Sequence, residues 1–354
     1  MTDGDKADSA EFDVSSEAKP RTFTPGEMIS CDACLRANPP TRAACLYCGA
    51  DLPVTGGEQD PELAGEAIRS TADSTADPGE NVSDAYYIVL TPNQTNRASE
   101  SSLSEIASIL ELQVSELQGI FAGSRSVPVA RASTPEQAAQ LTEKIQALGI
   151  GADAIRDDGL ALDIPTRRIR ALELSDAGFV GVRVSDGGKV STPWDDLVLI
   201  VAGRLLVNRV EVEERRRRGR MQPLGTRELF SDESVLDLYT KSTDSGWRIS
   251  SSSFDFSCLG SEKAITAFEN FGALLNLLRA RAPDVEVDAS YPGLRSVLAN
   301  VWPFEPQTRK GDWRRSGAGK YDLATVTTTD NEAQFNRYSR LCHRLKLRDL
   351  EGHE

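Results

Sequence analysis

Four of the six cysteines in this 354-residue chain lie within 18 residues, as two Cys-x2-Cys pairs that are ten residues apart. Each pair can present two thiolates to one ion, and two pairs complete the tetrahedral four-sulfur shell that zinc prefers. Two disulfides or an iron–sulfur centre are the alternatives, but paired spacing without a secretory signal favours zinc. A closed shell has no open coordination position, so we expect one structural Zn²⁺ ion. The expected ligands are Cys31, Cys34, Cys45 and Cys48.

The spacing around these cysteines includes Asn38, which gives the frame Cys-x2-Cys-x3-Asn-x6-Cys-x2-Cys. Over residues 28–51 this frame resembles the Ran-binding-protein type zinc finger, and it is equally similar to generic bacterial zinc ribbons. Ile29 stands where that family usually has Trp, and Leu35-Arg36 stands where its ubiquitin-binding members have Thr-Phe. The resemblance therefore implies metal binding without ubiquitin recognition. RNA-binding members use arginines and a stacking aromatic, and the residues here that match those types are Arg36, Arg42 and Tyr47.

The densest charge run is Glu-Glu-Arg-Arg-Arg-Arg-Gly-Arg over residues 213–220. Guanidinium groups hold oxyanions in a fork, so the run is a candidate contact for phosphate or an acidic peptide. The candidate residues are Arg215, Arg216, Arg217, Arg218 and Arg220. The alternative, which we favour from the sequence, is a solvated loop whose charge is balanced by neighbouring glutamates. A second basic stretch, residues 309–320, contains Trp313 but does not match a phosphate-binding loop, so we expect a flexible loop there too.

Residues suited to catalysis are few. The chain has two histidines, His343 and His353, and Cys342 is adjacent to His343 in a helical pattern, where neighbouring side chains do not face each other. Cys258 has an apolar context that is typical of a packed small residue. We find no nucleophile elbow, metalloprotease signature or dinucleotide fingerprint. We therefore expect a non-enzymatic protein.

The charge of the chain is concentrated at its start. Residues 1–84 hold 17 acidic and 6 basic side chains, which is −11 of the total net charge of −14. This balance argues against broad, charge-driven binding to nucleic acid or anionic lipid. No secretory signal and no apolar run long enough for a bilayer is visible, so we expect a soluble, cytoplasmic protein.

Composition and hydrophobic period predict a multidomain α+β protein. The predicted segments are a disordered acidic lead (1–27), the zinc ribbon (28–52), a flexible linker (53–83), a small α/β domain (84–158) and an antiparallel-sheet domain with packed helices (165–350). In the small domain, strand-like and helix-like periods alternate in the order β-α-α-β-α-β. The strand Tyr86–Leu90 and the helix that starts at Thr134-Pro135 are its clearest elements.

This order resembles the C-terminal domain of the bacterial ribosomal stalk protein and the related fold of the N-end-rule protease adaptor. The residues that carry the resemblance are Tyr86–Leu90 and Val129–Ala139, within residues 85–157. The resemblance implies a compact three-strand, three-helix fold. It does not imply the stalk domain's binding role, because that domain uses a lysine-rich helix, whereas Leu103–Phe121 contains no Lys or Arg.

The sheet domain has several short predicted strands, followed by the apolar run Leu197–Ala202 and a turn at Gly203. Residues 213–245 are polar, and we expect loops there apart from a short helix at Asp232–Tyr239. Helices are also predicted at Ala264–Arg281 and Glu332–Leu347 from their apolar stripes.

These patterns favour a zinc-binding adaptor or regulatory protein whose tethered ribbon recognises a protein partner. One alternative is an RNA-binding factor that uses the ribbon arginines and the Arg215–Arg220 run. A second alternative is an enzyme whose site in the C-terminal half has no local sequence signature.

Overall fold

A computed structural model of the chain describes residues 29–30, 37–38, 85–91, 99–123, 125–217, 220–242, 246–317 and 320–352. These residues contain both helices and sheets, so the protein is of the α+β class, as predicted. They belong to two units. In the first unit, β1 (Ile29–Ser30) pairs antiparallel with β2 (Ala37–Asn38). Asn38, which the cysteine frame includes, is a residue of β2 and is buried.

The second unit begins with the small α/β domain, whose elements follow the predicted order. They are β3 (Tyr86–Thr91), α1 (Glu100–Leu110), α2 (Val114–Ala122), β4 (Val127–Ala132), α3 (Pro135–Ala147) and β5 (Gly151–Arg156). The sheet order is β4-β3-β5, and both outer strands run antiparallel to β3. Residues 87–90 of the central strand are buried, which explains their continuous apolar character. Thr134 caps α3, because its hydroxyl accepts a hydrogen bond from the Gln137 amide.

A larger sheet and three helices complete the second unit. Its strands are β6 (Arg167–Leu174), β7 (Gly178–Arg183), β8 (Lys189–Pro193), β9 (Leu197–Arg217), β10 (Arg220–Thr240), β11 (Trp247–Ser250), β12 (Glu286–Asp288), β13 (Gln307–Gly317) and β14 (Lys320–Asp330). The helices are α4 (Ala267–Arg281), α5 (Tyr291–Val301) and α6 (Glu332–Glu351). The sheet order is β13-β14-β9-β10-β11-β6-β7-β8, and β12 pairs with β9. The pairs β11–β6 and β12–β9 are parallel, so the predicted sheet is antiparallel except at these two pairings.

The sheet separates two hydrophobic cores. Along β9, Leu199 and Val201 belong to the core that also contains Phe335 and Leu341 of α6, whereas Ile200 belongs to the core that contains Leu274 and Leu278 of α4. This arrangement explains why residues 197–202 are apolar without alternation, since both faces of the strand are covered. The small domain shares the first core, where the rings of Tyr87 and Trp302 meet edge to face at 5.2 Å.

The turn expected at Gly203 is absent, and β9 continues through this residue. A Cβ atom at position 203 would overlap the ring of Phe335, so the glycine provides room for α6 to contact the strand. The glycine therefore marks a close approach between a helix and the sheet.

Two predicted helices also differ from the structure. Asp232–Tyr239 is part of β10, because it pairs with β9 and buries Val235, Leu236 and Leu238, which overrides the local helical pattern. Helix α4 begins at Ala267, where Thr266 accepts a hydrogen bond from the Glu269 amide. The tail helix is confirmed as α6. None of the helices in the described part of the chain has the length and apolar character needed to cross a bilayer.

Candidate functional site

The distal parts of two hairpins form a four-stranded projection, which we call the arm. It consists of residues 207–217 and 220–231 from β9 and β10, and residues 307–317 and 320–330 from β13 and β14. Strand β14 pairs with β9 from Asp330 opposite Val207 to Asp322 opposite Arg215. Strand β10 pairs with the other edge of β9 up to its end, where Arg220 lies opposite Arg217. At about 3.3 Å per residue, the arm extends roughly 33 Å from Val207 to Arg217.

The arm brings together the two basic stretches of the sequence, which are about 100 residues apart in the chain. Asp322 lies opposite Arg215 on one side and opposite Arg314 on the other. The prediction of two solvated loops is therefore wrong, because residues 213–217 and 309–317 have extended backbones that pair with neighbouring strands. Arg215, Arg216 and Arg217 lie in β9 and Arg220 in β10, whereas Arg218 lies outside the described residues.

The charge of the arm is opposite to that of the whole chain. The arm contains 11 Arg or Lys residues and 7 Asp or Glu residues, a net charge of +4 in a chain of −14. The remainder of the chain is therefore more acidic than the total suggests. A basic arm on an acidic protein concentrates any attraction for a polyanion at one place.

Strand register assigns the arm residues to two faces, since residues opposite each other in a sheet share a face and successive residues alternate. One face, which we call the aromatic face, includes Phe230 opposite Asn208, Trp313 opposite Leu323 and Tyr321 opposite Arg315. Its other cationic positions are Arg216 and Lys310. Two side-chain contacts agree with this register: the Asn208 amide donates to the Glu228 carboxylate at 3.0 Å, and the hydroxyls of Thr308 and Thr327 are 3.1 Å apart.

The other face, which we call the arginine face, contains no aromatic position. It includes Arg209, Arg215, Arg227, Arg309 and Arg314, together with Glu211, Glu213 and Asp322. At the base of the arm, where side chains are described, Phe230 is 51% exposed on the aromatic face and Leu229 is 41% exposed on the arginine face. Neither face is therefore covered at this level of the arm.

The base of the arm is fixed to the body by polar contacts. The Asn331 side chain accepts a hydrogen bond from the Leu206 amide at 2.7 Å and donates to the Arg204 carbonyl at 2.9 Å. The carboxylates beside a neighbouring cavity of about 290 Å³ already have partners. Asp232 pairs with Arg204, and Glu332 pairs with Arg168 and Arg248. These contacts connect the base of the arm to the body of the second unit.

A buried polar network joins α6 to the sheet. Arg248 of β11 makes two hydrogen bonds of 2.7 Å to the Asp237 carboxylate, and Ser339 donates to the same carboxylate at 2.7 Å. Burial lowers the pKa of Arg248, but the charge and hydrogen bonds of Asp237 raise it by more, so the guanidinium remains charged. His343 stacks on Tyr239 with ring centroids 4.4 Å apart, and its Nε2 atom is 2.9 Å from the Thr240 carbonyl. Each of these buried polar groups therefore has a partner within the network, and we interpret their role as structural.

The cysteine next to that histidine has different surroundings. Cys342 borders a cavity of about 140 Å³, and its Sγ atom is 3.7 Å from Asp288 Oδ2. Burial, and then the Asp288 carboxylate, raises the pKa of the Cys342 thiol well above its usual range. A thiol in this state is a poor nucleophile, and His343 has its own partners. The pair therefore provides no nucleophile–base arrangement.

The predicted zinc ligands and ribbon contacts lie outside the described residues. They are Cys31, Cys34, Cys45 and Cys48, and Arg36, Arg42 and Tyr47. In the described part of the chain, no group of three or more His, Cys, Asp or Glu side chains is arranged to hold a metal ion.

Comparisons of this chain with models of protein families, with curated proteins and with solved structures find no match.

Proposed function

We propose that this protein is a non-enzymatic binding protein whose basic arm contacts a polyanion of the nucleic-acid class. The observation that carries the proposal is the register of the arm. Asp322 of β14 lies opposite Arg215 of β9 on one side and opposite Arg314 of β13 on the other, so the two basic stretches lie side by side. Two segments that the sequence suggested as separate loops thus form one surface. Nucleic-acid binders take much of their affinity from such clustered cations, because each neutralised phosphate releases counterions.

The acidity of the rest of the chain limits where a nucleic acid can bind. A net charge of −11 over residues 1–84 repels phosphates, so the arm is the favoured contact. Affinity should consequently depend on a small number of arm cations. The salt dependence should be modest compared with that of proteins that bind through a basic domain.

The arm proposal can be tested by fluorescence anisotropy with the full-length protein and labelled nucleic acid. The variant Arg215→Gln/Arg216→Gln removes one cation from each face of the arm. We expect a loss of about tenfold in affinity at physiological salt, and a reduction of about 1.4 in the salt slope on single strands, since each lost phosphate contact removes about 0.7.

The matched control is Arg279→Gln/Arg281→Gln, which removes two exposed cations from α4, away from the arm. This control should bind like the unmodified protein. Equal affinities for both double variants and the unmodified protein would refute the arm as the contact surface.

A second candidate function rests on the N-terminal cysteines. We infer that they bind one structural zinc ion in a ribbon that recognises a protein partner. The antiparallel pair of β1 and β2 supports this inference, because it brackets Cys31 and Cys34 in the sequence as the strands of a zinc hairpin do. In this candidate, Cys45→Ser leaves nucleic-acid binding by the arm unchanged. A loss of that binding would instead assign Arg36, Arg42 and Tyr47 to the nucleic-acid surface.

The resemblance of residues 85–157 to the ribosomal stalk domain remains a proposal about fold. The sheet order with β3 at the centre and the helix positions support it. A cytoplasmic location also remains a proposal, and it agrees with reduced thiols at the proposed metal ligands.

A further inference from the structure

The two faces of the arm differ in a way that the charge count does not show. Three aromatic positions, Phe230, Trp313 and Tyr321, all fall on the aromatic face. The arginine face has the larger number of cations and no aromatic residue. A surface that recognises phosphate charge alone has no need for aromatic residues on one side.

Two of the three aromatic positions are close enough to act together. Trp313 and Tyr321 lie on adjacent strands and two residues apart in register, so their backbone positions are separated by about 8 Å. Phe230 is on the same face, roughly 20 Å further toward the base along the strands and three strands across from Trp313. Its side chain is 51% exposed, so its ring is accessible to a ligand.

Cations alternate with these aromatics. Arg315 lies directly opposite Tyr321, Lys310 is three residues before Trp313, and Arg216 occupies the same face of β9. Several folds that bind single-stranded nucleic acid combine aromatic and cationic residues on one sheet face, where bases stack on the rings while cations hold the backbone. In a duplex the bases are stacked on each other, so the rings cannot be used.

We propose that the aromatic face of the arm binds single-stranded nucleic acid by stacking bases on Trp313, Tyr321 and Phe230, with Arg216, Arg315 and Lys310 holding the phosphates. This inference rests on the proposed function of the arm and specifies its ligand. The arginine face contributes long-range attraction and no base contact.

Anisotropy with the full-length protein tests this assignment, using labelled single strands of about ten nucleotides and a duplex of the same length. Single strands should bind more tightly than the duplex at physiological salt. Trp313→Leu should weaken single-strand binding by about 5- to 150-fold, the range for loss of one stacked base, and Trp313→Phe should retain most of the affinity.

The adjacent arginines of β13 provide a matched pair of variants, since Arg314 and Arg315 have the same charge on opposite faces. Arg315→Gln should weaken single-strand binding more than Arg314→Gln. Circular dichroism melting of each variant shows whether it is folded, so that a loss of binding is not confused with unfolding.

Tryptophan fluorescence provides a second readout that does not depend on affinity. Trp194, Trp247 and Trp302 are buried, so quenching by stacked bases should come from Trp313. Single strands should quench the unmodified protein. They should not quench Trp313→Phe, even though this variant binds.

The outcomes separate the inference from the function on which it rests. Equal binding of single strands and duplex, with equal effects of Arg314→Gln and Arg315→Gln and none of Trp313→Leu, would overturn the stacking face and keep the arm as a polyanion contact. Binding that none of these variants changes would overturn both. Displacement of the single strand by polyglutamate of equal charge and at equal concentration would also overturn the stacking face, because it would assign an acidic protein as ligand.

Discussion

We expect the buried ion pair between Arg248 and Asp237 to contribute strongly to the stability of the body that supports the arm. The side chain of Arg248 is 2% exposed and that of Asp237 is fully buried. Replacing Arg248 with Met keeps an unbranched apolar stem but removes the guanidinium, which leaves the Asp237 carboxylate buried with Ser339 as a remaining hydrogen-bond donor. Removing one partner of a buried ion pair costs about 3–5 kcal/mol, because the remaining charge stays desolvated.

Arg168→Met is the matched control. Arg168 also pairs with Glu332, at 3.0 Å, but its side chain is 59% exposed. Exposed pairs contribute about 0–1 kcal/mol, since water screens both charges. The same substitution should therefore have a small effect at position 168 and a large one at position 248.

Urea unfolding monitored by near-ultraviolet circular dichroism measures both variants against the unmodified protein. We expect the free energy of unfolding to fall by about 3–5 kcal/mol for Arg248→Met and by less than about 1 kcal/mol for Arg168→Met. Similar losses for the two variants, or a loss below about 1.5 kcal/mol at position 248, would refute the view that this network holds α6 on the sheet.

Three further predictions concern the metal, the close contact at Gly203 and pH. Purified protein should contain one zinc ion per chain by metal analysis. The variant Cys45→Ser should lose this zinc without a change in the near-ultraviolet spectrum of the buried tryptophans. Less than about half an equivalent of zinc in the unmodified protein would count against the site. Gly203→Val should lower the free energy of unfolding by about 1–3 kcal/mol, because the added side chain overlaps the ring of Phe335. Adding Phe335→Leu should recover part of this loss in the double variant. Simple additivity of the two changes would contradict the contact. Burial lowers the pKa of His343, so as the pH drops the unfolded chain takes up a proton before the folded protein does, and the free energy of unfolding should fall below about pH 6.5. The variant His343→Gln should lose less stability between pH ~7.5 and ~5.5. An identical pH dependence of the variant and the unmodified protein would exclude this histidine as the cause.

Local patterns predicted much of the small domain but less of the arm. The six elements from β3 to β5 follow from short-range periods and cap residues. The apolar run Leu197–Ala202 lies in β9, which is an inner strand of the large sheet. The glycine at position 203 indicated a turn, but the strand continues through it. The reason for the glycine is its contact with Phe335, which is more than 130 residues away and is not visible in the local sequence.

The arm could not be predicted from its residues separately. Residues 213–220 and 309–320 are polar, and each alone has the composition of a solvated loop. Their strand conformation depends on pairing across β9 and β14. The same pairing places Tyr321 beside Arg315 and aligns Phe230 with the face of Trp313. The β-branched run over residues 325–329 in β14 was a usable signal for a strand, but the identity of its neighbours was not visible in the sequence.

Ultraviolet crosslinking of the full-length protein to a single-stranded RNA, followed by mapping of the crosslinked peptides, tests the central claim most directly. The claim is that the arm contacts nucleic acid. The structure predicts crosslinks in peptides from residues 207–231 and 307–330, at Phe230, Trp313 or Tyr321. Crosslinks confined to residues 28–52, or distributed over the body without enrichment in the arm, would contradict it.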